Sequence, residues 1–144
     1  MSLCSLALAL SGTEAVAATF GYVVNSGDNT VSVLKTGNNA VTTTVPVGSG
    51  PYGVAITPNG QFAYVTNGYS NTVSVINTGT NTVTTTVPVG SEPADVAITP
   101  NGQFAYVTNG NSNNVSVMNT GTNSVTTTVP VGSAPNGVAI TPGH

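Results

Sequence analysis

Apolar residues fall in short runs in which larger side chains alternate with small or polar ones, each run closed off by Gly, Pro, Asn or Asp. Phe20–Asn25 and Asn29–Lys35 are the first two, split by the turn-forming Ser26-Gly27-Asp28. Ala40–Val47 follows across Thr36-Gly37-Asn38-Asn39, a hairpin signal. Gly53–Thr57 follows across the loop Gly48-Ser49-Gly50-Pro51, and Pro58-Asn59-Gly60 closes a tight turn before the series restarts at Phe62. No stretch repeats its apolar residues with the helical period. The pattern predicts an all-β chain with four strands to a unit.

The unit recurs every forty-two residues, as the spacing of Phe20, Phe62 and Phe104, of Tyr22, Tyr64 and Tyr106, and of Pro46, Pro88 and Pro130 shows. Several short strands inside a period of this length mark a β-propeller blade. Within GVAITP, Val54 and Ile56 share one face and Ala55 and Thr57 the other; in QFAYVT, Phe62 and Tyr64 oppose Ala63 and Val65. Alternation with apolar residues on both faces suits four-stranded sheets stacked against one another. The Thr-rich strand carries Pro88, which cannot donate to a ladder and belongs at an edge, so VTTTVPV is placed on the outer rim.

The predicted division is a partial blade over 20–48, blades over 49–90 and 91–132, and the first strand of a further blade over 133–144, with Gly137–Thr141 as that strand. This makes twelve strands, about three blades' worth, where a ring needs four to eight. Either the sequence is part of a longer reading frame, the preferred reading, or a second copy completes the ring as a homo-oligomer with two-fold symmetry.

Tyr64-Val65-Thr66-Asn67 and Tyr106-Val107-Thr108-Asn109 match the tetrapeptide that names the YVTN-repeat β-propellers, and the flanking VAITPNG, NTVSVI and TVPVG resemble that family in register. The first copy departs from it, with Tyr22-Val23-Val24-Asn25. The resemblance covers residues 20–144. It implies a seven-bladed architecture and a secreted or surface-layer setting, and leaves the biochemical activity open.

Composition narrows the function. Lys35 is the only basic side chain and Glu14, Asp28, Glu92 and Asp95 are the only acids, for a net charge of −3. There is no basic footprint for nucleic acid. The apolar run LCSLALAL at residues 3–10, followed by Ala15-Val16-Ala17-Ala18, reads as a signal peptide over 1–18, too short to span a membrane, so secretion or cell-surface display is expected and membrane insertion is not. Cys4, alone and inside that leader, excludes an intramolecular disulfide.

Reactive groups are scarce. His144 is the only histidine, no Cys/His cluster exists for a metal, and no cofactor or catalytic set is expected. Asn114-Val115-Ser116 is the only glycosylation sequon, at a strand start. The loops from the fourth to the next first strand (Gly50–Tyr52, Glu92–Asp95, Ala134–Asn136) share one face of the disc with those from the second to the third strand (Ser26–Asp28, Gly68–Ser70, Gly110–Ser112). Loops on a rigid scaffold carry function, so Tyr52, Tyr69, Glu92, Asp95 and Asn136 are the candidate binding residues; drift at exposed loops explains the same divergence between copies. The expected function is a secreted or cell-surface module with a structural or binding role toward a protein or glycan, and no catalysis. The alternative is part of a lactonase-like propeller hydrolase whose catalytic residues lie elsewhere.

Overall fold

The computed structural model of the protein describes residues 17–143; the apolar leader run, Cys4 and His144 lie outside the described residues. Eleven strands follow one another: β1 (Phe20–Asn25), β2 (Thr30–Lys35), β3 (Ala40–Pro46), β4 (Pro51–Ile56), β5 (Phe62–Asn67), β6 (Thr72–Asn77), β7 (Thr82–Pro88), β8 (Pro93–Ile98), β9 (Phe104–Asn109), β10 (Asn114–Asn119) and β11 (Ser124–Pro130). They form three antiparallel sheets, β1-β2-β3, β4-β5-β6-β7 and β8-β9-β10-β11, each strand laddered to its neighbours in sequence. All is β, as the alternation predicts, and the Pro-bearing β3, β7 and β11 are edge strands. The no-partner edge is where a proline costs least.

The expected strand at Gly137–Thr141 does not form; this segment carries no ladder. In the other copies the first strand pairs with the second strand of its own sheet, Val54 with Val65 and Val96 with Val107, and no such partner is among the described residues. The segment is instead tethered to the last sheet. Thr108 donates its hydroxyl to the Asn136 carbonyl (2.6 Å), and Val138 N–H donates to the Asp95 carboxylate (3.2 Å).

Sheet stacking explains the alternation. Ala63, Val65 and Ile76 of the middle sheet pack with Val31, Val33 and Val45 of the first. Tyr64, Val73, Val75 and Val87 on the opposite face pack with Val96, Ala105, Val107 and Met118 of the third. Both faces of β5 and β6 are therefore core, which is why they show apolar residues at consecutive positions.

The tetrapeptide in β5 is explained residue by residue. The Tyr64 hydroxyl donates to Asn123 Oδ1 in the next sheet (2.6 Å), as Tyr22 does to Asn81 (2.6 Å). Val65 is buried. Thr66 accepts from Gly53 N–H (2.8 Å) and passes its own proton to the Ala94 carbonyl (2.9 Å), joining two inner strands of adjacent blades. Asn67 donates to Thr72 and Ser74, tying β5 to β6. The first copy has Val24 where Thr66 stands, so the Tyr52 carbonyl, equivalent to that of Ala94, lacks this bond from the preceding blade. Val24→Thr keeps the shape but exchanges a methyl of a partly buried, core-packed side chain for the hydroxyl, so it should raise unfolding stability by at most about 1 kcal/mol, read as a higher urea midpoint with unchanged slope; an unchanged midpoint would refute the blade-stitching role of the threonine.

Candidate functional site

The loops expected to share a face do so. Gly68 N–H donates to the Gly50 carbonyl (2.8 Å) and Gly110 N–H to that of Glu92 (2.9 Å), so the loops after β5 and β9 are strapped onto the loops before β4 and β8. Where these loops converge, a cavity of about 640 Å³ opens, with Tyr52, Tyr69, Glu92 and Asn136 among its walls and Gly27, Gly50, Gly68, Pro93 and Ala94 forming much of the rest. Tyr52 and Tyr69 are largely exposed, at 62% and 83%. Tyr69 lies on Gly50: a β-carbon added there would sit 2.7 Å from the ring. One ring face is thus supported by backbone while the side chain remains open to the cavity.

Asp95 is the exception among the five. It belongs to β8 rather than to the loop, and it does not line the cavity. One carboxylate oxygen accepts the N–H of Val96 (2.9 Å) and the other that of Val138. In the copy before, Gly53 holds this place and a β-carbon there would meet the Ala94 carbonyl at 2.9 Å. Asp95 therefore fastens one inner strand to the following segment. Although Glu92 and Asp95 were expected in one loop, Glu92 lines the cavity and Asp95 does not.

Backbone geometry singles out Glu92. Among the described residues eight non-glycine residues have positive φ, and six are Asn (29, 39, 71, 81, 113 and 123), the non-glycine residue that tolerates the left-handed region best. The other two are Glu92 (φ 53°) and Ala134 (φ 53°), at the repeat position that Gly50 occupies (φ 63°). The loop imposes this conformation. Gly50, Glu92 and Ala134 each donate N–H to the side chain of an Asn twenty-one residues earlier, at 2.9 Å. A glutamate here is strained at a place where Gly or Asn would not be. Nothing in the structure explains Ala134.

The other chemistry is unremarkable. Among the described residues no three of His, Cys, Asp and Glu gather to hold a metal, and no helix is long and apolar enough to cross a membrane. The sequon is built into a sheet: Asn114 opens β10 and accepts from Asn109 (2.9 Å), while Ser116 is buried and bonded to the same amide.

Residues 18–143 match the family model described as lactonase, 7-bladed beta-propeller. The chain belongs to that family. No curated protein matches it. Among solved structures, hydrazine synthase of Kuenenia stuttgartiensis is similar with a TM-score of 0.77 and 28% identity, over 79% of this chain and 33% of that one. Dihydro-heme d1 dehydrogenase NirN, solved with DHE, is similar at 0.69 and 21% over 80% of this chain and 25% of that one. A functionally unknown protein of Desulfotomaculum acetoxidans gives 0.67 and 19% over 86% and 46%. The last two likenesses speak for the fold alone, and the chain spans a quarter to just under half of the lengths of these proteins.

Proposed function

We propose that this chain is a secreted or cell-surface propeller module of the YVTN-repeat type, whose role is to bind a protein or glycan at the face carrying the cavity. The observation behind this reading is where nearly identical repeats differ. Between the second and third copies the exchanges away from that face are Ile76 for Met118 and Thr82 for Ser124, which keep size and polarity, and Asn101 for Gly143 and Gly102 for His144 in the last two aligned residues, which do not. On that face or beside it they are Thr72 for Asn114, which stays polar, and Tyr69 for Asn111, Glu92 for Ala134, Ala94 for Asn136 and, in β8 next to it, Asp95 for Gly137, which change both. Localisation is tested by expressing the chain with its leader and sequencing the N-terminus of the product. The reading expects processing near Ala18 and recovery outside the cytoplasm; full-length chain retained in the cytosol would refute it.

The second reading, a part of a lactone hydrolase, is favoured by the family match. Against it stand the side chains of the inner strands, mostly Val, Ala, Ile and Thr, with the one acid, Asp95, occupied by two backbone N–H groups. A pH-stat assay with a simple lactone separates the two: acid release at the buffer rate is the outcome expected of a binding module, and saturable acceleration is that of a hydrolase.

A further inference from the structure

We propose that the loop-face cavity takes an organic ammonium group, held over the rings of Tyr52 and Tyr69 with Glu92 as its counter-ion; this rests on the reading of that face as a binding surface. The choice of residue at position 92 carries the inference. The backbone there is left-handed, and among the described residues the chain uses Asn at six other left-handed positions, Gly at the same position one repeat earlier and Ala134 one repeat later. Asn would accept hydrogen bonds from a neutral hydroxyl as well as Glu does, without the strain. What Glu adds is a negative charge. Ala134 shares the same backbone strain one repeat later, so what sets Glu92 apart is its charge, placed on the cavity wall with Tyr52 and Tyr69.

The rest of the cavity agrees. Glu92 is the only ionisable group besides the two tyrosines among the residues that line it. Lys35, the only Lys or Arg, ends β2 at the opposite face of the disc, so among the described residues no cationic side chain on this side would neutralise an anion. Asp28, in the loop beside Gly27, adds to the negative potential. Exposed tyrosine rings attract ammonium groups through their negative faces, and Tyr69 is steadied for this by Gly50. The Gly, Pro and Ala walls leave room for methyl groups on nitrogen.

The test uses the intrinsic tyrosine fluorescence of the full chain, which has five Tyr and no Trp, two of the five at the cavity. Choline, Nα-acetyl-lysine amide, glucose and sodium acetate are titrated in turn. Choline or the lysine derivative should saturate with half-maximal change in the millimolar range, and acetate should not bind. Tighter binding of the lysine derivative assigns the ammonium group to a partner protein, and tighter binding of choline to a small molecule. Tyr52→Ala and Tyr69→Ala should each weaken the response roughly two- to five-fold. Glu92→Asn should weaken it roughly three- to five-fold at low salt and less at high salt, while the variant melts roughly 2–4 °C higher because the strain is gone. Saturation by glucose with no effect of Glu92→Asn would overturn the ammonium assignment and leave the binding reading standing. No saturable response to any probe would overturn both.

Discussion

Gly90→Ala should cost about 3 kcal/mol of stability, although it adds a single methyl group to a loop. The new β-carbon would lie 2.6 Å from Cγ of Asn109 and 2.7 Å from its Nδ2, closer than real atoms approach. Asn109 cannot give way. It is fully buried, donates to Asn114 and Ser116 at 2.9 Å each, and accepts the Gly90 N–H at 3.1 Å. Overpacking of a rigid site costs about 1–3 kcal/mol, and displacing the loop would also leave the buried Asn109 oxygen unpaired, a further cost of about 1–3 kcal/mol. The repeat supplies its own controls. Gly48→Ala meets Asn67 at 2.7 Å and should also be severe, but less so, because the Asn67 oxygen already has no partner to lose. Gly132→Ala, at the same repeat position with nothing within 4 Å, should be close to neutral. Urea unfolding of the three variants checks the order; a Gly90→Ala protein within 0.5 kcal/mol of the parent, where surface changes normally fall, would refute the clamp.

The contrast between these glycines shows how far the residues speak for themselves. Strand identity and sheet order were legible, because β5 and β6 are apolar on both faces and Pro88 marks the rim. The face bearing the candidate residues was legible too, since antiparallel succession alone puts alternate loops on one side. Gly137–Thr141 copies the letters of β4 and β8 but has no second strand to ladder with among the described residues. The place of Asp95 was hidden for a related reason: β4 and β8 begin at Pro51 and Pro93, two residues before the apolar pattern starts. A register shift between Pro93 and Val96 separates the paired positions on either side of Asp95. The strain at Glu92 was equally out of sight. It becomes visible only when the backbone angle is set beside the six asparagines that share it. A sequence signal for it did exist, in the repeat position that reads Gly50, Glu92 and Ala134.

Tyr64 offers the largest side-chain effect, and one with a pH signature. It is buried in the core cluster that also holds Val75 and Val87 of its own sheet and Val96 and Val107 of the facing one. Tyr64→Ala should cost about 3–5 kcal/mol, as for other buried aromatics. Tyr64→Phe keeps the ring and removes the hydroxyl with its hydrogen bond to Asn123 and its longer contact with the Thr120 carbonyl (3.5 Å), which should cost about 1 kcal/mol at neutral pH. Burial pushes the Tyr64 phenol up to about 12 from its ordinary 10. Between those values the unfolded chain releases this proton and the folded one keeps it, so unfolding releases protons and stability falls as pH rises. The contribution is complete below pH 10 and is lost on the way to pH 12. In Tyr64→Phe this part of the alkaline decline disappears, leaving a smaller one from Tyr22, whose phenol burial also raises. The gap between the parent and Tyr64→Phe should therefore shrink as pH climbs through this range. Denaturant midpoints of both proteins at neutral pH and across pH 10–12 test it, and parallel curves would show that the folded protein admits the Tyr64 anion as readily as the unfolded chain does.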